Sequence, residues 1–150
     1  MATTDGKASA RVRVLPSWLI NQAAIAGNRL VAEGLSRAGR RRHHYALLAT
    51  LDEVGPASQA DLSRRIMLDR SDMVAAVNEL GAQRLVERTS DPTDRRRNVV
   101  TITPAGRRQL RRLDRLVAGA QDELMAPLST EERAQLVELL TRVVDHHTTS

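Results

Sequence analysis

Residues 85–106 read LVERTSDPTDRRRNVVTITPAG, and this stretch decides the fold. Residues 85–89 and 98–103 are rich in branched side chains and predict two strands. The polar run 90–97 between them is too long for a tight hairpin loop. Thr103 and Pro104 then predict a helix start, with threonine as N-cap and proline at the first helical position. Arg95, Arg96 and Arg97 are consecutive at the tip of the arm. Three guanidinium groups in a row repel one another unless an anion lies between them. The narrow minor groove of a nucleic-acid duplex concentrates negative potential and accepts an inserted arginine. Asp94, two residues before Arg96, is placed to brace that guanidinium by a bidentate pair. The plainer alternative is a solvated, charged hairpin tip.

Upstream, Ser58 with Asp61 three residues on is a capping-box-like pair, with aspartate in place of the usual glutamate. It opens a short helix whose apolar stripe is Ala60, Leu62 and Ile66. Asp69 predicts a second N-cap, with Asp72 in the first turn complementing the helix dipole. Met73, Val74, Val77 and Leu80 form the apolar side of that next helix. A short helix, a joint of about three residues, a second helix and a hairpin together make a winged helix-turn-helix. In such a unit the first turn of the second helix meets base edges, so Arg70 and Ser71 are candidate DNA contacts, Arg70 toward guanine. Ser58 and Gln59, at the head of the preceding helix, are candidates with them, as are Asp72 and Asn78. Asn78 and Gln83 lie later on the helix and are expected to face the DNA backbone or solvent.

Outside this lobe the pattern is helical. Leu15, Leu19, Gln22, Ala23, Ala26 and Leu30 recur at steps of three and four across residues 15–38, until Gly39 and the cluster Arg40, Arg41 and Arg42 break the run. Leu47, Leu48 and Leu51 mark a second helix over 43–54, stopped by Gly55 and Pro56. After Pro104 the stripe is Leu110, Leu113, Leu116, Val117, Ala120 and Leu124, with Pro127 as the stop. Ser129 and Glu132 form a capping box for a last helix expected to bury Leu136, Leu139, Leu140, Val143 and Val144. The first and the last two helices are apolar on more than one side, which points to a second copy of the chain. The expected organisation is a flexible arm over 1–13 and one domain over 14–150. Within it, 14–38 and 104–150 supply dimerisation helices and 42–103 the winged DNA-binding lobe. The fold class is mainly α, an α+β winged helix-turn-helix, as a homodimer joined by its N- and C-terminal helices.

Composition narrows the function classes. Hydrophobic residues make up 41% of the 150, with one Trp, one Tyr and no Phe, so the core must be aliphatic. The formal net charge is +5 and the basic side chains are arginine except for Lys7. That balance suits a polyanionic partner and equally a soluble protein without one. With no cysteine, disulfides, thiolate metal sites and thiol redox sensing are excluded. No apolar run reaches the roughly 18 residues of a membrane span and no apolar block heads the chain, so a cytoplasmic location is expected. There is no phosphate-binding glycine loop, nucleophile elbow or His-Glu metal motif, so neither an enzyme nor a cofactor is expected.

The run from Tyr45-Ala46-Leu47-Leu48 through Ser58-Gln59-Ala60-Asp61-Leu62, Leu85-Val86-Glu87-Arg88, Asp91-Pro92-Thr93-Asp94-Arg95-Arg96 and Ile102-Thr103-Pro104-Ala105-Gly106 resembles the MarR family of bacterial transcription regulators. The resemblance implies a triangular homodimer with two winged lobes on a pseudopalindromic double-stranded DNA operator. It implies that Arg96 enters the minor groove with Asp94 holding it. It also implies a repressor, often released by a small aromatic or phenolic ligand bound between the dimerisation and DNA lobes. A sequence-tolerant architectural DNA-binding protein is the alternative. Three positions depart from the family pattern. Arg84 stands where glycine is common and must either adopt the left-handed conformation or close the helix differently. Asp72 stands where threonine or serine is common, and His44 replaces a common glutamine.

Trp18, Gln22, His43 and His44 are the candidate effector residues. One reading makes them an aromatic and imidazole wall for a small acidic ligand. The other makes them a surface histidine pair and a tryptophan packed at the dimer seam. Arg107, Arg108, Arg111, Arg112 and Arg115 read as a solvated face partly paired with Asp114, Asp122 and Glu123, or as a lure for an anion. His146 and His147 cannot both face one side of a helix, and with no cysteine or nearby carboxylate cluster a metal site there is not expected.

Overall fold

The computed structural model of the chain describes residues 7–94 and 96–149. In chain order the elements are α1 (Ala10–Arg13), α2 (Pro16–Ser36), α3 (Arg42–Val54), β1 (Ala57–Ser58), α4 (Gln59–Ile66), α5 (Arg70–Ala82), β2 (Val86–Ser90), β3 (Asn98–Ile102), α6 (Pro104–Leu124) and α7 (Thr130–Thr148). This is a mainly helical winged helix-turn-helix. No helix of the described residues is long and apolar enough to cross a membrane. The chain divides into two compact units, residues 31–118 and the two terminal segments 1–30 with 119–150.

The 31–118 unit holds the core. Leu47, Leu48 and Leu51 of α3, Leu62 of α4, Met73, Ala76, Val77 and Leu80 of α5, and Leu113 of α6 are buried around Val86 and Val100 of the sheet. Full burial of one such aliphatic side chain stabilises by about 1.5–3 kcal/mol, so the cluster is mainly aliphatic with Tyr45 packed at its margin. Ala60 and Val74, expected on the buried stripes, are exposed. Tyr45 Oη donates to Asp114 Oδ1 at 2.8 Å, and Arg107 pairs with Asp52 at 3.4 Å, so α6 is also tied to α3 by polar contacts.

The sheet has the order β1-β3-β2, all antiparallel. Val86 faces Ile102 and Ser90 faces Asn98 across the hairpin. The two-residue β1 carries no sequence signal of its own length. It forms because Ala57 and Ser58 lie opposite Val100 and Val99. Edge strand β2 buries only Val86 and turns Glu87 and Arg88 outward, a charged edge that discourages pairing with another chain.

Helix α5 ends in a Schellman turn: Leu85 N–H donates to Leu80 O at 3.0 Å and Arg84 N–H to Gly81 O at 2.9 Å. Arg84 sits at φ 57°, so of the two ways to close this helix the chain uses the left-handed one. The Thr103 hydroxyl then donates to Arg84 O at 2.7 Å, while its oxygen accepts from Gly106 N–H at 3.0 Å. Gly106 is required by this contact, because a Cβ there would overlap the Leu85 carbonyl oxygen. The Thr-Pro-x-Gly helix start is thus a latch between α6 and the end of α5.

In the terminal unit, Ser9 caps the single turn α1, inside the segment expected as an arm. α6 stops at Leu124, three residues before Pro127. The Ser129–Glu132 capping box opens α7, and Arg133 Nε donates to Met125 O and Leu128 O, closing the turn between the helices. The stripe expected to be buried on α7 is not buried within the chain: Leu139, Leu140, Val143 and Val144 are exposed and Leu136 half-buried. Leu15 and Leu19 of the first stripe are exposed as well.

Two substitutions report on the latch. Gly106→Ala should lower stability by about 2–3 kcal/mol, because backbone rather than a flexible side chain must give way. Arg84→Gly should raise it by roughly 1 kcal/mol by relieving the left-handed residue. Denaturant unfolding of both variants measures the two signs.

Candidate nucleic-acid interface

The Asp69 carboxylate caps α5. Its Oδ1 accepts from Asp72 N–H at 2.8 Å and from the Ser71 hydroxyl at 2.9 Å. These bonds, the Asp72 amide first, hold Asp69 below the usual carboxylate range. Ser71 is therefore engaged at the cap, and Asp72 contributes its main-chain amide to it. Arg70, beside them at the first helical position, is exposed.

Ser58 sits where β1 meets α4. Its buried hydroxyl accepts from Asp61 N–H at 3.2 Å, which caps α4, and from the Arg97 guanidinium at 3.2 Å, which ties in the base of the wing. Ser58, Gln59, Arg70 and Arg97, with Ala60 and Asn98, line one open cleft of about 280 Å³. Four residues singled out in the sequence thus converge on one surface. Asn78 is held differently: its Oδ1 accepts from Arg88 at 2.7 Å, while Arg88 Nε donates to Gln59 at 3.0 Å. Arg88 links β2, α4 and α5, and the sequence reading missed this bridge. The only signal is an arginine on the outward side of a strand beside two amide residues.

The wing tip is folded by aspartates. Asp91 N–H donates to Arg97 O at 2.8 Å, and the Asp91 carboxylate accepts from the Thr93 amide and hydroxyl. Those bonds hold Asp91 below its ordinary range. Asp94 Oδ1 accepts from the main-chain N–H of Arg96 at 3.0 Å. The bracing expected of Asp94 is accordingly to the backbone of Arg96; no contact to its guanidinium is found among the described residues. A carboxylate two residues before an amide closes an Asx turn, a local geometry that outcompetes reaching out to a long side chain. Arg96 is exposed at the tip, and Arg95 lies outside the described residues.

The candidate effector residues fall in both units. Trp18 is half-buried and Gln22 exposed, both on α2 in the terminal unit. His43 is half-buried and packs edge-on to His44, their ring centroids 4.6 Å apart. The His44 ring is buried with both nitrogens engaged. Nδ1 accepts from Arg41 N–H at 3.0 Å, so the proton of the neutral ring is on Nε2, which donates to Glu79 Oε2 at 2.5 Å. Burial pushes the His44 pKa down, opposed by the bond to Glu79, and that bond holds Glu79 below its usual range. Ligand atoms of His43, His44 and Glu79 lie within 4.8 Å of one another. A cation would have to displace the Nε2 proton and the cap bond beside Arg40 and Arg41, so this cluster reads as a structural hydrogen-bond set.

The model of the MarR family matches residues 33–97, which span the helix-turn-helix and the wing to Arg97. A transcriptional regulator of Bacillus subtilis, YxaD, is 34% identical over 102 residues, 68% of this chain and 71% of that protein. The chain belongs to the MarR family. Its relatives are named as transcriptional regulators, and the chain spans 60% to 71% of their length. A regulatory protein assigned to the hcr operon of Thauera aromatica is 35% identical over 99 residues, 66% of this chain and 60% of that protein's length. Among solved structures, the PcaV regulator of Streptomyces coelicolor is 30% identical with a TM-score of 0.72, covering 89% of this chain and 98% of that one.

The histidine carries a pH prediction. The folded chain keeps His44 neutral more firmly than the unfolded chain does, so its contribution is full above the ordinary value of 6.5 and is lost as pH falls below it. Melting temperature should fall between about pH 7.5 and about pH 5.5, and His44→Gln should flatten that slope. An unchanged slope in the variant assigns the pH dependence to another group.

Proposed function

We propose that this MarR-family chain is a repressor that binds a pseudopalindromic operator as a homodimer. The first turn of α5, with Arg70 foremost, enters the major groove, and Arg96 enters the minor groove beside it. The observation that carries the reading is the cleft shared by Ser58, Gln59, Arg70 and Arg97, which brings the start of the recognition helix and the base of a pre-folded cationic wing to one surface. Arginine at the head of a recognition helix can bridge guanine O6 and N7, and a minor-groove arginine reads groove width. The exposed Leu139, Leu140, Val143 and Val144 of α7, and Leu15, Leu19, Ile20 and Ile25, are the apolar excess that a second copy would cover.

The effector reading is a small aromatic acid or phenol that binds near Trp18, Gln22, His43 and His44 and lowers DNA affinity. The PcaV regulator has been crystallised with its natural ligand, which shows that a relative of this chain takes one. An anion would pair with the cationic side chains beside His43, and an aromatic ring is the kind of group that stacks on an indole such as Trp18. Because both nitrogens of His44 are engaged, His43 is the imidazole with capacity to spare.

Arg96→Ala should weaken operator binding by about 1–3 kcal/mol and flatten its salt dependence, since groove contacts that release counterions are lost. Melting should be unchanged, because the tip is solvent-exposed. Equilibrium binding over a salt series measures both; parent-like binding would sink the minor-groove assignment. A ratio of operator to random-duplex affinity near unity in the parent would instead identify an architectural binder.

Trp18 fluorescence gives the effector test. Saturable quenching by a benzoate or phenol, weakened when operator is bound, is the expected result. A tenfold loss of operator affinity needs only about 1.4 kcal/mol of preference for the DNA-free state. Quenching indifferent to DNA, or none at millimolar ligand, removes this ligand class.

A further inference from the structure

We propose that Arg40 and His44 are positioning residues for the recognition helix, setting the rotation of α5 through paired contacts to Gln83 and Glu79. The inference rests on the reading that α5 meets the operator bases. The two contacts are parallel. Arg40 lies just before the N-cap of α3 and His44 in that helix's first turn, while Glu79 lies in the last turn of α5 and Gln83 is the C-cap that ends it. Arg40 donates to Gln83 Oε1, and His44 to Glu79 Oε2. Neither Glu79 nor Gln83 lines the cleft of Ser58, Gln59, Arg70 and Arg97.

Arg40 is an expensive residue to place there. It is 8% exposed, and its Nε has no acceptor among the described residues. Burying a guanidinium is costly unless strong partners replace its water. The nearby Glu79 carboxylate favours its charge and Gln83 takes its hydrogen bond, so the planar guanidinium is held against the C-terminal end of α5. Arg40 also occupies the position just past the left-handed Gly39, where its own N–H closes the end of α2 by donating to Leu35 O at 3.1 Å. One residue thus fixes the end of α2 and grips α5. His44 does the same for α3, its Nδ1 satisfying the Arg41 amide at that helix's start while Nε2 reaches Glu79.

A helix held by its core side chains alone can still roll. Side-chain ends lie about 5–6 Å or more from the helix axis, so a roll of about 20° moves a base-reading atom by about 2 Å. That displacement breaks a hydrogen bond whose useful range is only about 2.7–3.2 Å. Contacts to phosphates tolerate such a shift better, because charge attraction falls off slowly with distance. Loss of the two contacts should therefore reduce discrimination while sparing general affinity for DNA.

The test is equilibrium binding of Glu79→Ala/Gln83→Ala to operator and to a random duplex of the same length, over a salt series, well below the melting point. The expected result is an operator affinity lower by about tenfold, with random-duplex affinity level or slightly higher because a carboxylate is gone. Glu79→Gln, whose amide oxygen still accepts from His44, should stay within about twofold of the parent. Should the double variant fail to fold, Gln83→Ala alone is read the same way, with an expected operator loss of about threefold to fivefold. An unchanged operator-to-random ratio in a folded variant, or equal loss on both duplexes, overturns the proposal. A parent without any operator preference removes the base-reading assignment and this inference with it.

Discussion

The winged unit is joined at the carbonyl groups of Arg84 and Leu85. They lie where α5 turns into β2, and both are claimed by Thr103 at the far end of the hairpin. The Thr103 hydroxyl uses its oxygen a second time, to accept the Gly106 amide at the start of α6. One buried hydroxyl therefore connects the end of α5, both wing strands and the helix that leaves the lobe. A buried polar group of this kind is costly when unpaired and stabilising when each of its bonds is made, so its geometry is all-or-none. The glycine one turn later follows from the same approach of backbone to backbone.

Above that latch, arginine does the joining. Arg88 spans Gln59 and Asn78, Arg97 reaches Ser58, and Arg40 reaches Gln83. A guanidinium presents several donors in a fixed plane, so one side chain can serve two elements where a lysine would serve one. This gives the basic composition two functions. Some of the cationic side chains are spent on internal geometry, and others, among them Arg70 and Arg96, remain on the surface.

Much of this was legible in the sequence because it rests on local chemistry. The N-caps Ser58, Asp69, Thr103 and Ser129 each need only a short side chain followed by the right spacing, and each stands where its helix begins. Arg84 was legible as a conflict, an L-residue where the turn wants none, and the helix closed around it. What could not be read depends on distance in the chain. β1 is two residues long and exists only through its partner, and the Arg88 bridge joins residues 59, 78 and 88. The burial of α7 was misjudged for a related reason. A periodic stripe reports that a helix has an apolar side, and says nothing about whether the cover comes from the same chain.

The Asp94 brace separates two properties of the wing. Because the carboxylate holds the Arg96 amide, the shape of the tip does not depend on what the residue at that position carries beyond its Cα. Every L-residue except proline offers the same N–H. The loop can therefore serve as a fixed mount on which the projecting group is exchangeable. Relatives sharing the Asp-Pro-Thr-Asp scaffold could change reach, charge or bulk at the tip without redesigning the turn. The entropy of ordering the turn is also spent during folding rather than at the moment of any contact.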